Sequence, residues 1–174
     1  MKLNIGCGNK ILDGWVNIDK YKKDSRIVNA DIYKLPFDND SVNEIKLEYI
    51  LEHIDDVYRA LEELYRVTKS NGIIKITVPY CFSRFAFQDP SHRTFNWTLD
   101  TFGYFSKASM SGFRSHHELK NYKFDFKIRK IKKNYHKESK YFIKKALKMF
   151  TLEEIETHFV NVISSITVYL QPVK

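Results

Sequence analysis

The spacing of apolar positions changes several times along the chain, and each change marks an element. Leu3–Cys7 is a short apolar run that ends in glycine, the text of a buried strand and its turn. Gly14–Ile18 and "RIVNADI" (Arg26–Ile32) predict two further strands, followed by the turn-like "KLPFDNDS". From Val42 the sequence "VNEIKLEYI" alternates and then runs into a helix for which Asp55 and Asp56 are N-cap candidates. Val57, Leu61, Leu64, Tyr65 and Thr68 share one face of that helix, Asn71-Gly72 is its expected stop, and Ile73–Val78 is a β-branched strand closed by Pro79.

The second half is less regular. Tyr80 to His117 is aromatic and rich in Ser and His, with a short helix expected near Leu99–Phe105. Phe124, Phe126 and Ile128 alternate with charges, as in a half-exposed strand. A helix is expected from about Tyr141 to His158, with Thr151 as an internal cap candidate, and "VNVISSITVYL" closes the chain as a long strand. Strands alternating with helices or crossover loops predict an α/β fold with a parallel sheet. No repeat or low-complexity linker divides the 174 residues, which read as a single domain, 1–174.

Composition narrows the function classes. The chain is 43% hydrophobic and 15% aromatic, so it is globular rather than disordered. No apolar run approaches the roughly 20 residues of a membrane-spanning helix, and "MKLNIGCG" enters a strand without a signal-peptide core. Cys7 and Cys81 are too few for a disulfide framework, so a reduced, cytoplasmic protein is the expectation. The net charge of +8 is concentrated: between Lys120 and Lys148 twelve Lys/Arg stand against Asp125 and Glu138, and the rest of the chain is close to neutral. Such a stretch attracts nucleic acid or acidic partners, or is simply the solvated surface of a hairpin and helix.

In open α/β sheets, ligands bind outside the carboxyl ends of the strands. There the chain offers Gly6, Cys7, Gly8 and Asn9 after the first strand, Asp19 after the second, Asp31 and Ile32 after the third, and Glu48 and Tyr49 after the fourth. Gly6 and Gly8 permit close backbone approach. A dinucleotide fingerprint needs a third glycine and a helix whose N-terminus faces the pyrophosphate. Ile11 holds that glycine's place and Gly14 leaves room for barely one helical turn, which argues against a nicotinamide oxidoreductase. An adenosine without phosphates fits better: Asp19 can accept from ribose hydroxyls, and Asp31 from an adenine amino group with Ile32 on the ring face.

"LNIGCGN", "VNID", "NADIYKLPFDNDSVNEI", "LEYILEHI" and "LEELYRVTKSNGIIKITVP" resemble the class I S-adenosylmethionine-dependent methyltransferases. The similarity is to the compact, type 11-like group with a Gly-Trp-x-Asn-x-Asp second strand, and "DPSHRTFNWTLDTF" resembles the insertion after its fifth strand. The resemblance implies a Rossmann-like, doubly wound sheet of seven strands. That sheet is mostly parallel, with an antiparallel last strand beside the fifth and, in this chain, the first helix shortened or missing. It implies S-adenosylmethionine as cofactor, with Gly6, Cys7, Gly8 and Asn9 under the methionine part. Asp19, with Lys20 beside it, falls at the ribose, Asp31 and Ile32 at the adenine, and Glu48-Tyr49 near the transferable methyl. Residues 80–120 then form the substrate-side insertion or lid.

Methyl transfer is a direct displacement, so positioning supplies much of the catalysis, and a base is needed only if the acceptor loses a proton. Glu48, His53, Asp89 and His92 are candidates. His53 reads as a structural residue of the helix start, and His92, in the lid, as the catalytic candidate. Arg93 and Arg114 are charges that could hold an acidic acceptor, though a surface role suits each. "SHHEL" (Ser115–Leu119) lacks partners at zinc-type spacing and no metal is expected; Cys81 has no activating partner. A small-molecule acceptor such as a sugar or other metabolite is the expectation. The alternatives are RNA held along the basic stretch, and a cofactor-binding protein without turnover.

Overall fold

The computed structural model describes residues 1–94, 96–108 and 122–174, and the side chain of Thr157 is outside this description. Among the described residues seven strands form one sheet: β1 (Lys2–Ile5), β2 (Val16–Asp19), β3 (Ile27–Asn29), β4 (Val42–Glu48), β5 (Thr68–Pro79), β6 (Phe126–Tyr135) and β7 (Ile163–Pro172). Their order is β3-β2-β1-β4-β5-β7-β6. The first five strands are parallel to their neighbours, and β7 runs antiparallel between β5 and β6. This is the seven-stranded Rossmann-like arrangement that the resemblance implies, with the last strand reversed beside the fifth.

The register sorts the side chains into two unlike faces. One row runs Ile18, Ile5, Leu47, Ile76, Val168, Ile131 across six strands, and the parallel row on the other face runs Asn17, Asn4, Lys46, Lys75, Tyr169, Lys130. The apolar face carries the core. Helix α1 (Val57–Val67) lays Val57, Ala60, Leu61, Leu64 and Val67 on it, and Trp97, Phe102 and Phe105 join the same cluster from the segment after β5. Parallel sheets are normally covered on both faces. Here the polar face satisfies itself through ion pairs, Lys2–Glu44 across β1 and β4 at 2.9 Å and Lys46–Glu48 along β4 at 3.0 Å.

The first helix is absent. In its place Lys10–Trp15 is a loop pinned by two buried asparagines, because a buried backbone needs partners wherever no helix supplies them. Asn17 accepts from the Leu12 N–H and donates to the Leu12 and Trp15 carbonyls, and Asn4 donates to the Lys10 carbonyl and to Asn17 Oδ1. The turn before β4 is held in a similar way by Arg66, which donates to the Leu35 and Phe37 carbonyls.

Helix boundaries differ from the sequence reading in two places. Asp56 caps α1 as expected, accepting from the Arg59 N–H at 2.9 Å, but the helix ends at Val67 rather than at Asn71-Gly72. Thr68 has turned to extended backbone and already pairs with Val42, and β5 begins there, five residues early. A bulge follows, where a Cβ on Gly72 would press on the Val42 carbonyl. The expected helix Tyr141–His158 is two helices, α3 (Ser139–Ala146) and α4 (Leu152–His158). Thr151 and Glu154 form a capping box that starts α4 anew. Between β5 and β6 lie α2 (Arg84–Phe87) and a 3-10 turn over Asp100–Phe105, close to the short helix expected there.

Candidate cofactor site

The turn after β1 is shaped by two left-handed glycines, Gly6 at φ +66° and Gly8 at φ +51°. A Cβ on Gly6 would overlap the side chain of Ile50, which follows β4, so backbone and side chain meet there without a gap. The Gly8 N–H donates to Asp19 Oδ2 at 2.9 Å, and the N–H groups of Tyr21 and Lys22 donate to Oδ1 at 2.9 and 3.0 Å. Asp19 thus ties the turns after β1 and β2 together. Beside it Asp31 pairs with Lys20 at 2.9 Å and accepts from the Tyr33 N–H, forming the turn that follows β3.

These turns enclose a cleft of about 220 Å³ at the strand ends. Ile5, Ile18, Ile32 and Ile50 supply apolar walls, and Gly6, Asp19, Lys20, Asp31, His53 and Asp55 supply the polar ones. Burial raises the Asp19 carboxyl, but the N–H donors of Tyr21, Gly8 and Lys22 outweigh it and hold the group below the usual carboxylate range. The Lys20 ammonium and the Tyr33 N–H do the same for Asp31. Both acids are therefore anions, acceptors only. Of roughly four lone-pair sites on a carboxylate, Asp19 has three in use and one left on Oδ2.

Of the residues singled out in the sequence, Gly6, Asp19, Lys20, Asp31 and Ile32 line this cleft. Cys7 is buried beneath the turn, its thiol pushed up by burial and by the Asp19 charge, so it is an inert packing group. Cys81 is likewise buried with a raised thiol. Asn9 is exposed at the turn, and the Gly8 amide is already committed to Asp19. Glu48 and Tyr49 lie outside the cleft. Glu48 turns to the polar sheet face, where Lys10 (2.5 Å) and Lys46 outweigh burial and lower its carboxyl, and Tyr49 donates to Ser165 Oγ at 3.2 Å. The two share a second pocket there with Lys75, Thr77 and Lys132.

His53 and His92 exchange places relative to expectation. His53 is exposed on the cleft wall, whereas the His92 side chain is 7% exposed and sits behind it, its Nδ1 2.9 Å from the Ala86 carbonyl. The rings touch edge to face with centroids 4.7 Å apart. Between them Glu52 is buried at 1% exposure with neither carboxylate oxygen hydrogen-bonded, and burial pushes its carboxyl up to about 7. Arg93 pairs with Asp55 at 3.4 Å on the surface. Arg114 and Ser115–Leu119 lie outside the described residues.

The sequence reading missed Ile50, Tyr21 and Asp55 on the cleft wall, and the asparagine clamp beneath the glycine turn. A polar residue at the centre of each apolar strand, Asn4 in "KLNI" and Asn17 in "VNID", is the signal that could have found the clamp.

A family profile described as a methyltransferase domain matches residues 13–76. Among solved structures, an S-adenosylmethionine-dependent methyltransferase from Archaeoglobus fulgidus aligns with a TM-score of 0.61 at 16% identity, over 98% of this chain and 85% of that one. A chain of the complex between the Haloferax volcanii Trm112 methyltransferase activator and a methyltransferase aligns with a TM-score of 0.61 at 14% identity, over 99% and 82%. The [4+2]-cyclase SpnF aligns with a TM-score of 0.59 at 13% identity, over 99% and 75%. No curated protein matches the sequence. The fold is that of the class I methyltransferases, and with the domain match it implies S-adenosylmethionine as cofactor. The cleft residues fit that group: apolar walls for a purine, two anionic acceptors for hydroxyl and amino donors, and a lysine, Lys20, whose charge is already paired with Asp31. Among the described residues no helix is long and apolar enough to cross a membrane.

Proposed function

We propose that this protein is a methyltransferase that moves a methyl group from S-adenosylmethionine to a small-molecule acceptor, a sugar or other metabolite, in a reducing cytoplasm. The observation that carries the reading is the pairing of two anionic acceptors, Asp19 and Asp31, with a floor of isoleucines in one cleft. Asp19 Oδ2 keeps one lone pair for a ribose hydroxyl. Asp31 accepts from the adenine amino group while Ile32 and Ile18 cover the ring faces. The bound cofactor supplies an electrophilic methyl on a sulfonium. The backbone at Gly6 sets how closely that end can lie against β1, and Ile50 excludes water from beneath it. His53 is the titratable group on the wall toward the segment after β5, within which the acceptor is expected to bind.

RNA as acceptor is the second reading, and it rests on the exposed lysines of β6, Lys127, Lys130 and Lys132. The small-molecule reading is preferred because these lysines continue the solvated polar sheet face, where Tyr169 lies under Lys75 rather than open to a base. The SpnF likeness adds a third outcome, since that protein is named for a [4+2] cyclisation rather than for methyl transfer.

The test is thermal unfolding with S-adenosylmethionine, S-adenosylhomocysteine and NAD, followed by detection of S-adenosylhomocysteine release. At about 100 times the dissociation constant, binding adds roughly 2.7 kcal/mol and raises the midpoint by roughly 5–10 °C. The two adenosyl ligands are expected to shift the midpoint and NAD is not, and Asp31→Ala should abolish the shift measured against its own unliganded midpoint. Turnover is then expected with a member of a sugar and metabolite panel. Turnover on RNA alone, lost as salt rises, would replace the acceptor assignment; binding without turnover on either would leave a cofactor-binding protein.

A further inference from the structure

Glu52 stands out because the chain buries its charge and gives it nothing. Among the described residues, the buried side-chain polar atoms without a hydrogen bond are both Glu52 carboxylate oxygens and Trp97 Nε1. A native fold satisfies such groups or keeps them for a purpose. The backbone around Glu52 is, by contrast, fully used. Its carbonyl accepts from the Arg93 and Thr94 N–H groups at 2.6 and 3.1 Å, and this clips the segment after β5 onto the 3-10 turn Leu51–His53. That clip is what brings His92, 40 residues distant in sequence, against Glu52 and His53.

The hydrogen bonds around the two imidazoles fix their tautomers. The Ala86 carbonyl can only accept, so His92 Nδ1 carries the proton and Nε2 presents its lone pair. Ser91 Oγ donates to Asp89 Oδ1 at 2.6 Å, which spends its only proton. His53 Nδ1, 3.1 Å from that oxygen, must then be the donor, and His53 Nε2 is the bare nitrogen. Each ring thus keeps one unprotonated nitrogen beside an unpartnered carboxylate, with the Ala86 carbonyl behind His92 and the Asp89–Ser91 pair behind His53, and His92 Nε2 also lies 3.9 Å from Asp89 Oδ2. Histidines that hold metal ions are oriented by partners of this kind. One ligand atom from each of Glu52, His53 and His92 falls within 4.8 Å of the others. A cation held tetrahedrally at about 2.1 Å from each ligand atom needs separations of about 3.4 Å, so binding draws these side chains together from their present spacing.

We propose that Glu52, His53 and His92 bind a divalent transition-metal ion, Zn²⁺ or a neighbour in the first row, at the rim of the cofactor cleft. Two imidazoles and one carboxylate select such ions over Mg²⁺, which prefers an all-oxygen shell. Three protein ligands leave at least one position open. Because His53 is the ligand that also lines the cleft, that position opens toward the cleft and takes water or an oxygen atom of the acceptor. The inference rests on these three side chains and their supports, and it does not depend on the proposed methyl transfer.

The experiment is calorimetric titration of the chelator-treated, desalted full-length protein with Zn²⁺, Co²⁺, Mn²⁺ and Mg²⁺ in turn, with the unfolding midpoint recorded alongside. One equivalent of Zn²⁺ or Co²⁺ is expected to bind and raise the midpoint, with Mg²⁺ at least tenfold weaker. His53→Ala removes an exposed ring, so its metal-free midpoint should match the parent while its affinity falls tenfold or more. Glu52→Gln should lose affinity by a similar factor. No saturable binding of any of these ions at millimolar concentration overturns the proposal. So does one-equivalent binding that survives in both variants, because the ion then sits elsewhere on the chain.

Discussion

Asp19 and Glu52 stand at the same edge of the sheet, and the chain treats them in opposite ways. Asp19 is half-buried and receives three backbone N–H donors, and its carboxyl lies below the usual range. Glu52 is fully buried and its carboxylate receives none, and its carboxyl rises to about 7. The first is a structural anion that happens to face a ligand cleft, so folding and binding draw on one group. The second adds nothing that folding needs, and a buried carboxylate kept without partners marks the place where the molecule holds chemistry in reserve. On the proposed reading, satisfied acids build the nucleoside side of the cleft and an unsatisfied one lies toward the side proposed for the acceptor.

Four experiments test that division, beginning with the largest effect. Asn17→Ala removes the clamp beneath the satisfied side, breaking bonds to Leu12, Trp15 and Asn4, and should lower stability in urea by about 4 kcal/mol. Asp19→Ala frees three N–H groups that water can partly reach and should cost about 3 kcal/mol, together with all S-adenosylhomocysteine binding by calorimetry. If Asp19→Ala bound as tightly as the parent, the cleft would owe nothing to its best-satisfied acid.

The third experiment uses pH. Asp19 has a folded value below its unfolded one, so its contribution is present at neutral pH and is lost as pH falls through the acid range. Glu52 has the opposite sign. Its folded value of about 7 lies above the ordinary 4.5, so stability is fullest while it is protonated and falls as pH rises between those values. With Asp89, His53 and His92 as its charged or titratable neighbours, the metal-free protein should lose up to about 3 kcal/mol from pH 4.5 to 8, and Glu52→Gln should flatten that slope. The smallest effect on stability is that of Gly6→Ala, about 1–2 kcal/mol from the left-handed backbone. The new methyl displaces Ile50 into the cleft, so ligand affinity should fall tenfold or more in a protein that still folds.

Much of the cleft around Gly6, Asp19 and Asp31 was legible in the sequence because it is local. Apolar runs ending in Gly6–Gly8, Asp19 and Asp31 each carry their meaning within a few residues, and parallel strands bring such ends to one edge. The alternation in "NEIKLE" and "IIKIT" carries the signal of a polar sheet face, since strands buried on both sides read as continuous apolar runs, but the expected doubly wound sheet passed over it. The surroundings of Glu52 were not legible. Glu52 and His92 meet only because two amides at Arg93 and Thr94 clip onto one carbonyl, and no periodicity records a contact across 40 residues. The positions expected for His53 and His92 relative to the cleft came out exchanged for the same reason. Position in a helix-start motif says nothing of which ring the returning segment will cover. The early start of β5 at Thr68 was missed because a strand pairing with Val42 overrode the helical pattern that included it.

The one-sided sheet has a further consequence, for cooperativity. A sheet with helices on both faces has two cores and can shed one while the other persists. This chain packs α1, the aromatic residues after β5 and the apolar sheet face into a single cluster. Among the described residues this cluster holds most of the buried apolar side chains, with Ile155, Val162 and Ile163 buried outside it, so its opening removes most of the core. Calorimetry should record one transition, with equal van't Hoff and calorimetric enthalpies, in spite of the seven strands and the length of the chain.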